Sequence, residues 1–490
     1  MGFVSQLGAV FQWDLMLLMV AAVLFGLIVG VLPGLGGAVA VALLIPLTFN
    51  LSPEGAIVVL LAAYGASNFG GSLTSILINT PGEAVNAATT FDGYPLAQQG
   101  KAAVAITAAM VCSALGGMIG LVVLDLIIPL ARRLILMFSY PDFFMLAVFG
   151  LTIIAVVTRG NTFRGLISAL LGLMLAYIGT DPIVGGERFT FGRDFLWDGI
   201  DLVPAIIGLF AIGEAVILSR KKDAIAGLLE VKSGISWEGV TAVFKHFWLF
   251  LRSCFIGIYI GMIPGVGGVV ASFMAYGTAV QMSKTPERFG RGAIEGVIAV
   301  EAANDSKDGG ALLPTLAFGI PGSAAMAVLI GGLIMHGLAP GPEMLTRHID
   351  TTYFLIAAAI VAKFVAMALG LLIGTRLIFF TTIRGALMAP GIVALSLLGA
   401  YAVRGQLSDM AIAVLFGLIS VFMQRYGYSR VALIIALVLG GLVEASYHQT
   451  MTTFGVQGFF TRPIALTLLA LTIFVLVLPY VRKRKPAGTP

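Results

Sequence analysis

The chain has 490 residues, of which 59% are hydrophobic and only 11% charged. A soluble domain uses roughly 25% charged residues to cover its wet surface, so a soluble enzyme or nucleic-acid binder is excluded. One core cannot absorb this much apolar sequence, because cores stop growing near roughly 250–300 residues, so lipid must be much of the solvent. The net charge of +5 reads as the ordinary Lys/Arg excess of cytoplasmic loops, since no basic cluster is interleaved with aromatics as nucleic-acid binding would need.

Apolar runs of about the length that a spanning helix needs recur along the chain. They are Leu15–Leu32, Ala102–Leu124, Phe143–Val157, Phe163–Tyr177, Leu202–Leu218, Tyr353–Gly374, Met410–Met423, Val431–Val443 and Ile464–Val481. None alternates polar with apolar, so helices are predicted rather than barrel strands. The first basic residue is Lys101, so Leu15–Leu32 lacks the charged flank of a cleaved signal peptide and reads as mature structure. Cys112 and Cys254 sit inside apolar runs without CxxC spacing, and the four histidines are scattered, so no metal, redox centre or cofactor is predicted. No phosphate-binding loop or nucleophile elbow is present, and no enzyme activity is predicted.

Two segments share one plan. GLIVGVLPGLGG at Gly26–Gly37 is matched by GIYIGMIPGVGG at Gly257–Gly268, with six of twelve positions identical at an offset of 231. Gly70-Gly71 answers Gly309-Gly310, Pro81-Gly82 answers Pro321-Gly322, Arg159-Gly160 answers Arg404-Gly405, and Glu214 answers Glu444. The division predicted is a first repeat over 1–220, a polar linker over 221–246, a second repeat over 247–448, and a final helix with a basic tail over 449–490. Bases vote on orientation. Lys284, Arg288, Arg291, Arg425 and Arg430 fall where the first half, near Asn50–Glu54 and Thr180–Asp181, has none. That favours inverted over parallel repeats, a hallmark of secondary transporters. Arg482–Lys485 then returns to the inside face.

The Pro-Gly-x-Gly-Gly elements at Pro33–Gly37 and Pro264–Gly268 must interrupt their helices, because proline removes a donor and glycine admits left-handed dihedrals. One copy alone would read as a kink or a close helix contact. Paired copies read as re-entrant tips whose amides at Gly34, Gly36 and Gly37, and at Gly265, Gly267 and Gly268, face an anion. The run Tyr64–Glu83 sets Ser67, Asn68, Ser72, Thr74, Ser75, Asn79 and Thr80 in apolar sequence, and Glu301–Ser323 does the same with Glu301, Asn304, Asp305, Lys307 and Asp308. Two extramembrane loops would be one explanation, but the apolar flanks favour intramembrane residues, which are costly and point to function. Asp305 and Glu301 are the candidates for ion coupling, by proton or by a sodium near Asn304 and Asp305. His336 reads either as a proton relay or as a packed polar residue at a helix end.

These stretches resemble the TctA family, the large membrane subunit of tripartite tricarboxylate transporters. The resemblance rests on GLIVGVLPGLGG, on YGASNFGGSLTSILINTPGEAVNAATTFDGYPLAQQGKAA, and on GIYIGMIPGVGG followed by AIEGVIAVEAANDSKDGGALLPTLAFGIPGSAAMAVLIGGLIMHGLAPGP. It implies a permease of the bacterial inner membrane, a small TctB-type membrane subunit, a periplasmic TctC-type solute-binding protein, and small carboxylates such as citrate. Where the family has Pro-Glu-Ala-Ala-Asn-Asn-Ala, this chain has Val300 before Glu301 and Asp305 at the second asparagine, with Lys307 and Asp308 following. Asp305 thus replaces a neutral ligand or pairs with Lys307.

The expectation is an all-α polytopic membrane protein with two inverted repeats, re-entrant hairpins, broken helices and about eleven spans. Gly34, Gly36, Gly37, Ser67, Asn68, Asn79, Thr80, Gly265, Gly267, Gly268 and Asn304 would bind substrate. A homo-oligomer is compatible with this plan, and an ion channel or passive pore is the rival.

Overall fold

The computed structural model describes residues 3–157, 162–181, 185–220, 235–382 and 385–482. Arg159, Gly160, Lys221, Lys222, the linker segment 221–234 and Lys483–Lys485 lie outside the described residues.

The protein is almost wholly helical, as its composition requires. Among the described residues eight helices are long and apolar enough to cross a membrane, or nine if Trp237–Lys245 and Phe247–Gly261, bent by 76°, count as one span. Five shorter apolar helices accompany them, and eleven crossings would need some of these. The helices that position the site are α1 (Trp13–Val31), α2 (Gly37–Thr48), α3 (Pro53–Ile78), α4 (Ala102–Ile135), α5 (Thr162–Ala176), α6 (Leu202–Ser219), α7 (Phe247–Gly261), α8 (Gly267–Met282), α9 (Ile294–Phe318), α10 (Ile349–Leu377), α11 (Leu407–Tyr426) and α12 (Arg430–Thr453). A two-residue antiparallel pairing, Gly179–Thr180 with Glu187–Arg188, joins α5 to α6.

Local chemistry sets the helix ends. Ser52 caps α3 by accepting from the Gly55 amide at 3.1 Å, with Pro53 in the first turn where its missing N–H costs nothing. The same helix stops at Asn79, which takes the left-handed conformation with φ of 54°; α9 stops in the same way at Gly319, with φ of 67°. Between α1 and α2 the chain turns through Gly34 and Gly36, and between α7 and α8 through Gly265 and Gly267, all with positive φ.

The same contacts are made twice. A Cβ at Gly26 or Gly30 of α1 would stand 2.3 or 2.1 Å from the carbonyls of Ala63 and Ser67 in α3, and one at Gly257 or Gly261 of α7 would stand 2.4 or 2.3 Å from those of Ala303 and Lys307 in α9. In return Gly70 lies against the Leu27 carbonyl and Gly310 against that of Ile258. Residues 26, 27 and 30 map onto 257, 258 and 261, an offset of 231, while 63, 67 and 70 map onto 303, 307 and 310, an offset of 240. Contact therefore pairs Gly70 with Gly310 rather than with Gly309. The tips repeat as well: the Gly34 amide donates to the Gly82 carbonyl at 2.7 Å, and the Gly265 amide to the Gly322 carbonyl at 3.3 Å.

The C-terminal parts of the halves are exchanged. Helix α5 packs on α12 and α6 on α11. Glu214 of α6 pairs with Arg430 of α12 at 2.6 Å, and Glu444 of α12 pairs with Arg188 of the first half at 2.5 Å. Each half thus lends a carboxylate to the other's arginine.

Backbone contact this close leaves no space for a methyl group, and overpacking typically costs about 1–3 kcal/mol. Gly30→Ala and Gly261→Ala are expected to lower the unfolding temperature of the detergent-solubilised protein by several degrees. Gly277→Ala, in the open face of α8 with no atom within 4 Å of the new methyl, should leave it unchanged. Equal losses in all three would mean that close helix approach is not what these glycines supply.

Candidate functional site

Helices α3 and α9 cross in the protein interior. Ser72 Oγ donates to Glu301 Oε2 at 2.7 Å, and Tyr64 OH donates to Asp308 Oδ1 at 2.6 Å. The residue numbers fall along α3 as they rise along α9, so the helices run in opposite chain directions there. Asn68 lies one turn from both Tyr64 and Ser72, and Asn304 one turn from both Glu301 and Asp308, which sets these two side chains between the bonded rungs. The 240 offset exchanges the Tyr64–Asp308 rung for Asn304–Asn68. One rung is closed by a hydrogen bond and its counterpart is open.

The charges beside the open rung balance. Lys363 of α10 bonds to Asp305 Oδ1, and to Asp308 Oδ2 at 2.7 Å. Lys307 Nζ bonds to Asp308 Oδ1 at 2.7 Å and to Tyr64 OH at 3.2 Å. All four charged residues are at most 5% exposed. A buried ion is tolerated only when paired and hydrogen-bonded, and here two lysines neutralise two aspartates. Pairing of Asp305 with Lys307, one of the two sequence alternatives, is replaced by pairing with Lys363. The reason is reach, because residues 305 and 307 point to different sides of the helix while α10 supplies an ammonium on the Asp305 side.

Glu301 sits apart from this group. Its carboxylate accepts from Thr89 Oγ1 at 2.5 Å, Ser72 Oγ at 2.7 Å and Ser113 Oγ at 3.0 Å. Asn86 Nδ2 donates to the Asn68 carbonyl at 3.2 Å and to Ser72 Oγ at 3.0 Å. Both polar atoms of the Asn304 side chain, with Asn68 Nδ2, Asn86 Oδ1 and Asp305 Oδ2, are buried without a hydrogen-bond partner among the described residues. Each such atom costs about 1–3 kcal/mol, so the arrangement is kept for something other than stability.

Both glycine tips reach this centre. Glu83 Oε2 accepts from the Gly37 amide at 3.3 Å and lies 2.6 Å from where a Cβ on Gly36 would stand. Two residues on, Val85 touches Gly268, whose other neighbour is the stem of Lys307. The short segment after Glu83 thus runs from one tip to the other. Ser67 Oγ lies against Gly37 and donates to the Tyr64 carbonyl. The amides of Gly34 and Gly265 are engaged by Gly82 and Gly322 and hold the tips in shape. Gly267 is half-buried and faces open space.

Not every singled-out residue joins the cluster. Asn79 is exposed, and its counterpart Gly319 has no side chain, so the left-handed helix end accounts for both. Thr80 bonds to the Ile78 carbonyl. His336 meets Thr48 Oγ1 at 3.1 Å at the end of its helix, which fits the packed-residue alternative. Conversely, sequence reading missed Lys363, Glu83, Asn86, Thr89 and Ser113. Lys363 was legible as the single base inside the run Tyr353–Gly374. The hydroxyls of Thr89 and Ser113 carry no signal until the fold brings them to Glu301.

Membrane-length helices around a charge-balanced, incompletely bonded polar crossing, with interrupted helices entering from both halves, define a polytopic protein of the transporter class. The sequence pattern of the tripartite tricarboxylate transporter TctA family matches residues 16–435, and the chain belongs to that family. It is 32% identical over 469 residues to an uncharacterized 52.8 kDa protein of the TAR-I ttuC' 3' region of Agrobacterium vitis, covering 94% of this chain and 93% of that protein. An uncharacterized protein of the TAR-II ttuC' 3' region of the same organism is 30% identical over 234 residues, which is 47% of this chain and 97% of that protein. No solved structure matches the chain.

Removing one charge of a buried pair typically costs about 3–5 kcal/mol because the partner is left uncompensated. Lys363→Met is expected to abolish recovery of folded protein from membranes. Adding Asp305→Asn to it should restore a measurable fraction on size-exclusion chromatography. A fully folded Lys363→Met single variant would contradict the charge balance described.

Proposed function

We propose that the chain is the large permease subunit of a tripartite secondary transporter in a bacterial inner membrane. It takes up a small di- or tricarboxylate such as citrate, received from a periplasmic TctC-type solute-binding protein and assisted by a small TctB-type membrane subunit. Uptake is coupled to a proton or sodium gradient, since the membrane potential opposes entry of two or three negative charges.

The observation that carries this reading is the open rung. Asn68 and Asn304 present amide N–H groups without partners among the described residues, at 1% and 0% exposure, between a neutralised charge group and a separate carboxylate. Amide N–H groups there suit a carboxylate, and the half-buried tip at Gly265–Gly268 adds backbone donors beside Lys307. The sequence division into repeats over 1–220 and 247–448 is kept, and the opposite chain directions of α3 and α9 support an inverted relation. Reciprocal pairs Glu214–Arg430 and Glu444–Arg188 suit two exchanged halves that rock about a shared centre. Alternating access is the mechanism this symmetry favours.

Citrate uptake into vesicles containing the chain, its small partner and the solute-binding protein tests the proposal. Accumulation above the outside concentration under an imposed proton or sodium gradient is expected, and mere equilibration would indicate a channel. Asn68→Ala and Asn304→Ala should each reduce uptake by ~100-fold or more while folded protein persists in the membrane, because a site built to bond a polar group discriminates strongly. Wild-type uptake by both variants would remove the site.

A further inference from the structure

We propose that Glu301 carries the coupling proton, and that the Ser72 hydroxyl relays its protonation to the Asn68–Asn86 pair. The inference rests on the transporter reading above and names the coupling ion of the same site.

The charges around Glu301 are engaged elsewhere. On α9 itself, Asp305 and Asp308 are tied to Lys363 and Lys307. From α10 comes Lys363, already shared between those aspartates, while Arg376 lies in the last turn of that helix, more than three turns beyond Lys363. From α4 the neighbours are Ser113 and the buried Cys112, and α7 brings Cys254. From the segment after Glu83 comes Thr89, and beyond it Asp92 is occupied by the amides of Gly292 and Ala293 and by Tyr276. From α3 comes Ser72, while Tyr64 is two turns away on Asp308. Among the described residues no base forms an ion pair with Glu301, which is 0% exposed. A carboxylate kept for structure alone would be expected to have a cation beside it.

The cage around Glu301 suits both protonation states. All three ligands are hydroxyls, and a hydroxyl can donate to a carboxylate or accept from a carboxylic acid. A lysine cage would serve one state only. The contacts of 2.5–3.0 Å also leave no gap for a metal cation between the carboxylate and these oxygens.

Ser72 has two acceptors for one hydrogen: Glu301 Oε2 at 2.7 Å and the Asn68 carbonyl at 3.1 Å. When a proton forms an O–H bond on Glu301 Oε2, that hydrogen is given to Ser72 Oγ, and the Ser72 hydrogen turns to the Asn68 carbonyl. That carbonyl already accepts the helical amide of Ser72 and Asn86 Nδ2, and an oxygen has two lone pairs. The Asn86 contact, the longer one at 3.2 Å, is displaced, and its N–H becomes a free donor beside the unpartnered Asn68 Nδ2. Proton uptake thereby adds a donor for the substrate carboxylate, and substrate binding favours the protonated state by the same amount.

The test reads protonation directly. Infrared difference spectra of the full chain in lipid nanodiscs are recorded between alkaline and acidic pH. The wild type is expected to gain a protonated-carboxyl band that Glu301→Gln lacks and Asp125→Asn keeps. Ser72→Ala, with Glu301 intact, should shift the frequency of that band. Thr74→Ala, whose hydroxyl bonds to the Gly71 carbonyl of its own helix, should not. Spectra in which no band depends on Glu301 or Ser72 would overturn the proposal. So would carboxylate bands that move when sodium chloride is added at constant pH in the wild type and not in Glu301→Gln, since Glu301 would then bind sodium. Because no transport is measured, absent citrate uptake would count against the function proposed above and leave this assignment to the spectra.

Discussion

Two lysines and two aspartates share one interior volume, where helices α3, α9 and α10 meet, and the rest of the fold is arranged so that all four can stay there. Asp308 accepts from both lysines and from Tyr64, so one side chain ties three helices together. Such a group adds little net stability, because desolvation offsets attraction. What it adds is position. It fixes how α3 crosses α9, and that crossing leaves the Asn68–Asn304 rung open while Tyr64–Asp308 is closed.

Positioning of this kind needs short distances, and the glycines provide them. Gly30 and Gly261 let α1 and α7 approach the backbones of α3 and α9 at the turns that carry Ser67 and Lys307. Helices α3 and α9 are then buried along almost their whole length, so their polar residues must find partners inside the protein. The glycines after each proline break the outer helix and return the chain as α2 and α8, whose first turns face Glu83 and Lys307. Sequence identity between the halves is concentrated where backbone approach is closest, as expected if side-chain volume is the constraint there. At residues 64, 67 and 68 against 304, 307 and 308 the halves differ, with Tyr, Ser and Asn facing Asn, Lys and Asp. Asymmetry between the halves thus extends to the chemistry at the centre.

The legible part of this arrangement was the part with a strong local cause. Apolar length gave the helices, and paired glycine tips gave the broken segments. Glu301, Asn304 and Asp305 stood out because ionisable residues in apolar sequence are rare. Lys363 stood out equally, as a lone base in an apolar run, and without it Lys307 was the one partner the sequence reading offered Asp305. Thr89, Ser113 and Asn86 were not legible, since hydroxyls and amides are common in helices and only tertiary contact gives them a role. Asn79 is the opposite case. It sits in a polar motif, yet its backbone conformation and its glycine counterpart explain it without a ligand.

The central claim is that both halves build one shared pocket at the crossing of α3 and α9. An electron-density map of the chain with citrate bound tests this most directly. Ligand density is expected in contact with Asn68 and Asn304, between the tips at Gly36 and Gly267. Density seated instead in the cavity of about 470 Å³ lined by Arg188, Trp197 and Glu444, with the crossing unchanged, would contradict it.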